Sequence, residues 1–170
     1  MAGPPLLTIE RVDRNIANGG AMFWIGTSGW SYAHWDGVLY PHGLPPRDRL
    51  AHYLPHYRTV EVNSTFYRWP PVAAFANWRR RLPEGFRLAV KAPRGLTHGA
   101  RLYAPERWLA RITAGLAALD ERRGPLLVQL PPDLPRDLPR LAYFLARAAT
   151  RVGTTRRPLL CSKRTARPTA

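Results

Sequence analysis

The chain reads as an α/β protein built on a parallel sheet, and three observations carry that reading. Four short apolar runs recur along it, Phe23 to Ser28, Thr59 to Asn63, Phe86 to Lys91 and Leu126 to Gln129. Amphipathic stretches long enough for helices lie between them, so strands and helices alternate as in βαβ units with right-handed crossovers. Each run also carries a polar residue near its C-terminal end, where parallel α/β proteins build their binding sites.

Strand alternation sorts the runs onto two faces. Phe23, Ile25 and Thr27 oppose Trp24, Gly26 and Ser28, and Val60 and Val62 oppose Glu61 and Asn63. Phe86, Leu88 and Val90 oppose Arg87, Ala89 and Lys91, and Leu126, Val128 and Leu130 oppose Leu127 and Gln129. Ser28, Glu61, Asn63, Lys91 and Gln129 are therefore expected on one face at one end of the sheet. Apart from these residues the runs are close to continuously apolar, as parallel strands buried on both faces should be.

The elements follow in order. Residues 1–22 lack periodicity and are expected to form a flexible extension, with Met22 as an alternative start. After the first strand, a loop rich in Gly, Trp and Tyr runs from Gly29 to Pro46. Pro45-Pro46 then opens a helix through about Tyr57, with Leu50, Tyr53, Leu54 and Tyr57 on one stripe. A loop from Ser64 to Pro70 follows the second strand. Pro71 begins the next helix, whose buried face carries Phe75 and Trp78 at i,i+3. Pro83-Glu84-Gly85 turns the chain into the third strand. A loop from Pro93 to Tyr103 leads to a helix opened by Pro105, with Trp108, Ile112, Leu116 and Leu119 apolar. Gly124-Pro125 is expected to stop it before the fourth strand. The proline-rich loop Pro131 to Pro135 precedes a last helix to about Ala149, with Leu141, Phe144, Leu145 and Ala148 inward. The expected organisation is thus an extension over 1–22, one domain over 23–150 and a basic disordered tail over 151–170, where no fifth strand is convincing.

Composition bounds the function. The 170 residues suffice for one domain with a real core. The single cysteine, Cys161, excludes an internal disulfide and a multi-cysteine metal site, and fits a reducing, cytoplasmic compartment. No stretch approaches the roughly 20 apolar residues of a membrane span, and Leu6-Leu7 is too short for a secretory signal. The net charge of +15 raises nucleic acid as a partner. Its distribution weakens that reading: six basic residues and no acid fall in 151–170, and much of the rest is helical arginine such as Arg79-Arg80-Arg81 and Arg122-Arg123. Solvated helix faces account for such charge as well as a basic groove does.

Ile25-Gly-Thr-Ser-Gly-Trp-Ser-Tyr32, with His34-Trp35 and Tyr40-Pro41 after it, resembles the YecE-like family, domain of unknown function 72. Val60-Glu-Val-Asn-Ser-Thr-Phe-Tyr67, Phe86-Arg-Leu-Ala-Val-Lys-Ala-Pro93 with His98, and Leu126-Leu-Val-Gln-Leu-Pro-Pro132 agree with it, over about residues 23–149. The resemblance implies a TIM-type (β/α) barrel and no particular reaction. It also exposes a departure. Family members continue into further βα units, beginning with a strand resembling Glu-Phe-Arg-His, and a closed barrel takes eight units and ~250 residues. About four of the eight are read here, so a C-terminally truncated or frame-shifted reading of a longer gene is expected.

Barrel sites form at the C-terminal strand ends and in the loops beyond. Catalytic candidates are Glu61, Lys91 and His98. Glu61 suits a general base or metal ligand, or equally a structural carboxylate paired with Arg87 or Lys91. Lys91 suits anion binding or amine nucleophilicity, or a counter-ion to Glu61. His98 suits proton shuttling or binding an anion or metal, or is a solvent-exposed loop residue. Arg94 and Arg101 flank it and make the loop anion-attracting. Ligand-binding candidates are Ser28, Trp30, Tyr32, Asn63, Tyr67, Arg94 and Gln129. The aromatics suit the wall of a ring pocket or a packed lid, Asn63 a substrate contact or a loop cap, and Gln129 paired hydrogen bonds to substrate or to barrel neighbours. No metal site is expected: His52 and His56 stand at i,i+4 without a carboxylate partner. No cofactor is indicated.

Three functional readings follow. The first is a barrel enzyme or binder for a small polar, anionic ligand bearing a phosphate or sugar, with Glu61 as acid/base. The second is a basic nucleic-acid-binding module with stacking aromatics. The third is a non-functional fragment, because half a parallel barrel exposes two sheet edges and an open core face.

Overall fold

The structure, a computed structural model, describes residues 24–152, with the backbone alone for Val152. The extension expected over 1–22, Phe23, and the basic tail beyond Val152 lie outside the described residues.

Four parallel strands form one sheet in the order β1-β2-β3-β4. They are β1 (Gly26–Ser28), β2 (Thr59–Val62), β3 (Arg87–Lys91) and β4 (Arg123–Leu127). The register aligns Ser28 with Glu61, Glu61 with Ala89, and Lys91 with Leu127. Among the described residues the sheet is open, with β1 and β4 as its edges. Five α-helices accompany it: α1 (Arg49–Tyr53), α2 (Ser64–Tyr67), α3 (Val72–Arg81), α4 (Glu106–Ala117) and α5 (Leu138–Val152).

The sheet has two unlike faces. Val60, Val62, Leu88 and Val90 are buried in one core with Phe75 of α3, Leu109, Ile112 and Leu116 of α4, and Phe144 of α5. Thr59, Glu61, Arg87, Ala89 and Lys91 alternate with them and are only half-buried. This corrects the expectation of strands buried on both faces. Each crossover steps one place in the same direction, and with uniform right-handedness that puts all helices on one side. The other face has no layer over it among the described residues.

The element boundaries differ from expectation at several places. The helix expected from Pro46 to Tyr57 is the short α1, because Pro45 to Asp48 form a turn in which the Asp48 amide donates to Pro45 O at 2.9 Å. Pro55 has no N–H to extend it at the other end. Leu50 and Tyr53 are buried as the stripe required. Within the expected loop 64–70, Ser64–Tyr67 winds into α2. The fourth strand begins at Arg123 rather than Leu126, so Gly124-Pro125 lie within β4 and α4 has already ended at Ala117. The β3–β4 register shifts between Leu88 and Val90, a bulge opposite Gly124-Pro125. A Cβ on Gly124 would stand 2.7 Å from Leu88 O, so the bulge needs glycine there.

Two buried side-chain oxygens tie the strands to their loops. Tyr53, fully buried at 0% exposure, donates its hydroxyl to Thr59 O at 2.9 Å. The same oxygen accepts from the Thr27 amide at 3.0 Å, joining α1, β1 and β2. Burial pushes the Tyr53 hydroxyl pKa up, so it stays a donor. Thr65 Oγ1, also buried, lies 2.8 Å from Val62 O and 2.7 Å from Lys91 O, pinning α2 to the ends of β2 and β3. At the other sheet edge, Asp137 Oδ1 accepts the Arg140 amide at 2.9 Å and caps α5. Helix α5 runs two residues past the expected start of the tail.

Candidate functional site

The C-terminal ends of β2 and β3 bring Glu61 and Lys91 together on the open face. Lys91 Nζ lies 3.9 Å from Glu61 Oε1, with the two side chains 17% and 19% exposed. Of the two counter-ions anticipated for Glu61, Lys91 is the one in place. Arg87 points elsewhere: its guanidinium donates to the Glu121 carbonyl and lies over the Trp24 ring. At 3.9 Å the Glu61–Lys91 contact is an ion pair and not a hydrogen bond. Among the described residues, no hydrogen-bond donor reaches the buried Glu61 Oε1.

Phe66 of α2 joins this pair to the following loop. Lys91 Nζ stands 5.0 Å from its ring centroid, a cation–π contact. His98 meets the same ring edge-on at 5.1 Å. His98 sits in a single π-helical turn, Gly95–Gly99, and its Nδ1 lies 2.9 Å from Thr97 Oγ1. Burial first, then the positive charges of Arg94, Lys91 and Arg101, hold the His98 pKa below its ordinary value, against an opposing pull from Asp133. The imidazole is therefore neutral at pH 7 and able to accept a proton. Half-buried and packed on Phe66, it is not the freely solvated loop histidine that the sequence left open.

A second group of residues flanks the pair on the β1 side. Asn63 Nδ2 donates to Ser28 Oγ at 2.8 Å, while Asn63 Oδ1 is buried with no hydrogen-bond donor among the described residues. Tyr32 donates its hydroxyl to the Ser28 carbonyl and meets Trp35 edge-on at 4.9 Å. Asn63 immediately precedes α2 yet makes no side-chain cap to it, so the alternative role of loop cap is not what its amide does.

The remaining candidates are less closely placed. Trp30 packs against the core, and its carbonyl accepts the Tyr40 hydroxyl. Tyr67 is 82% exposed and touches Phe66 edge-on. Gln129 is half-buried two residues past β4, on the alternation of Leu127, which is the register partner of Lys91. Arg94 is exposed. Arg101 departs from its expected role, since it pairs with Asp133 at 2.6 Å and is not free to attract an anion. Sequence reasoning missed Phe66, Thr65 and Thr97. A single aromatic in a loop carries no periodicity to mark it, whereas Ser-Thr after a strand is a recognisable turn signal.

Several other arginines are also engaged. Arg79 reaches Asp120 at 2.9 Å and Glu121 at 3.0 Å, and Arg122 reaches Glu121 at 2.7 Å. Arg140 pairs with Asp137 at 2.9 Å and covers the Tyr103 ring. Among the described residues, no group of three or more His, Cys, Asp or Glu is placed to hold a metal ion. No described helix is long and apolar enough to cross a membrane.

Three comparisons place this arrangement among known proteins. The chain is 33% identical over 76 residues to UPF0759 protein YunF of Bacillus subtilis (strain 168), covering 45% of this chain and 26% of that protein. A solved DUF72 family protein from Thermotoga maritima MSB8 superposes with a TM-score of 0.61 at 29% identity, over 75% of this chain and 51% of that one. The chain thus spans about half the length of that solved relative. The family model described as protein of unknown function DUF72 matches residues 24–155, which take in every strand, helix and candidate side chain above, and the chain belongs to that family.

Proposed function

We propose that the open face of this sheet is the inner wall of a (β/α) barrel, and that Glu61, Asn63, Lys91 and His98 bind a small polar, anionic ligand at its mouth. The observation that carries this reading is two buried acceptors orphaned among the described residues, Glu61 Oε1, which lies 3.9 Å from the Lys91 ammonium, and Asn63 Oδ1, two residues along the same strand face. A buried acceptor without a donor costs about 1–3 kcal/mol. Two ligand donors, such as a pair of hydroxyls, would satisfy one atom each. Lys91 supplies the charge for a phosphate or carboxylate on the same ligand, and the neutral His98 supplies a proton acceptor within the same aromatic contact. Glu61 is assigned as the acid/base and Lys91 as the anion anchor.

The barrel reading is supported by the one-directional strand order and by the helices on one face. The engagement of Arg79, Arg101, Arg122 and Arg140 with acidic neighbours favours this ligand over nucleic acid. The single cysteine supports a cytoplasmic setting.

Calorimetric titration with a panel of sugar phosphates, their neutral sugars and inorganic phosphate tests the reading. A phosphorylated ligand is expected to bind, its neutral counterpart to bind at least tenfold more weakly, and Lys91→Met to abolish that preference. Binding that ignores the phosphate, or that survives Lys91→Met unchanged, would remove Lys91 as anchor.

A further inference from the structure

We propose that Thr97 is the positioning residue for His98: its buried hydroxyl accepts the His98 Nδ1–H and so fixes the imidazole in the tautomer whose Nε2 is free to take a proton. The inference rests on the reading of His98 as the site's proton acceptor. It adds which ring nitrogen acts and what sets it.

The hydrogen count decides the direction of the bond. Thr97 is fully buried, at 0% exposure, and its Oγ1 lies 2.9 Å from His98 Nδ1 and 3.3 Å from Pro93 O. A hydroxyl carries one hydrogen, and a carbonyl oxygen can only accept. If Thr97 donated to Nδ1, its Oγ1 would face Pro93 O with no hydrogen between them. If Thr97 donates to Pro93 O, Nδ1 carries the proton and donates to Oγ1. The second arrangement makes two hydrogen bonds where the first makes one. It also forms a chain, Nδ1–H to Oγ1–H to O=C, in which each bond polarises the next. A threonine hydroxyl bonding back to the carbonyl four residues earlier is common in helical turns.

The turn holds these atoms in place. Pro93 O also accepts the Leu96 amide at 3.0 Å and the Thr97 amide at 3.2 Å. The Ala100 amide donates to Gly95 O at 2.8 Å, and the Leu102 amide to Leu96 O at 3.0 Å. Leu96 and Leu102 are buried. Just beyond, Arg101, Leu102 and Ala104 take positive φ of 47°, 66° and 38°. Residues other than glycine hold that conformation only where their surroundings impose it. On the ring's other side Phe66 meets the imidazole edge-on, and the described residues give Nε2 no hydrogen bond. An imidazole in water favours the proton on Nε2, and in a folded protein the bond made by one nitrogen sets the state of the other.

Nitrogen-15 NMR of the histidine side chains tests the inference, on the full 170-residue chain without ligand. The spectra are taken at about pH 8, above the ordinary histidine value of about 6.5, and His98→Gln assigns the resonances. The expected result is a protonated Nδ1 and a lone-pair Nε2 on His98. Thr97→Val keeps the side-chain shape without the hydroxyl and should raise the Nε2–H share at least fivefold. Thr97→Ser should restore the parent's tautomer. A proton on Nε2 in the parent overturns the inference, and so does a Thr97→Val chain with the parent's amide spectrum that keeps Nδ1–H. Should Thr97→Val fail to fold, the parent and Thr97→Ser decide: Nδ1–H in both supports the inference, and Nε2–H in either overturns it. The ligand reading fails separately. The expected tautomer in a chain that binds no phosphorylated ligand keeps the Thr97–His98 bond and removes the ligand, whereas Nε2–H in a chain that prefers phosphate removes Thr97's role and keeps Lys91 as anchor.

Discussion

Lys91 Nζ stands 3.9 Å from Glu61 Oε1 across neighbouring strands, close enough to neutralise the carboxylate and too far to donate a hydrogen bond to it. Thr65 Oγ1 donates to the backbone carbonyl of Lys91 at 2.7 Å, and the Lys91 ammonium stands 5.0 Å from the Phe66 ring centroid. A structural ion pair would close to hydrogen-bond distance, whereas this one leaves an acceptor open at the end of a parallel sheet, where α/β proteins bind ligands.

Replacing Lys91 by Met therefore has two expected effects. Stability should fall by about 1–2 kcal/mol in urea denaturation, because Glu61 loses its counter-ion in a mostly buried position. Solvent reaching both side chains keeps the loss below that for fully buried pairs. Glu61→Gln should cost less, since an amide is easier to leave half-buried than a charge. Equal losses for the two variants would contradict an asymmetric role.

Tyr53→Phe removes a hydroxyl that links Thr27, Thr59 and α1 while leaving the ring packing intact. The expected loss is about 1–3 kcal/mol, the cost of leaving the Thr59 carbonyl and Thr27 amide without their buried partner. Hydrogen exchange should quicken first at Thr27, on edge strand β1. A variant as stable as the parent would show that water replaces the hydroxyl.

Gly124→Ala tests the bulge in β4. The added Cβ would meet Leu88 O at 2.7 Å and Ala89 N at 2.9 Å, both backbone atoms that cannot rotate aside. Overpacking of this kind costs about 1–3 kcal/mol, and thermal melting should show it. Neutral substitution would mean that the strand slides to relieve the contact.

His98 should titrate below its ordinary value in proton NMR, and Lys91→Met should raise its midpoint by removing one of the charges that depress it. Asp133→Asn should lower the midpoint further, since Asp133 opposes the depression. The sign for stability follows from linkage. A base whose pKa is lower folded than unfolded binds fewer protons in the native state. Its contribution is fully present above the unfolded value of about 6.5 and declines as pH falls through that value toward the lower folded one. A midpoint at or above the ordinary value would contradict the burial of His98 against Phe66.

Much of this was legible because strand alternation is strict. Val60, Val62, Leu88 and Val90 had to face one way, which left Glu61 and Lys91 on the other side, and the structure places them so. The start of β4 was not legible. Gly124-Pro125 carries the same signal whether it stops a helix or forms a bulge, and the apolar run after it contains no marker of register. The half-exposure of the second face ran against the nearly continuous apolar runs, although the reading of half a barrel anticipated an open core face. Within the site, Phe66 was invisible because it acts through ring geometry with Lys91 and His98, residues 25 and 32 positions away.

The most direct test of the proposed site is a titration of isotopically labelled protein with inorganic phosphate, followed by NMR. Shifts confined to Glu61, Asn63, Lys91 and His98, saturating and absent in Lys91→Met, are the expected result. Shifts spread over the arginines of α3 and α4, or unchanged in Lys91→Met, would contradict a site built on Lys91 and Glu61.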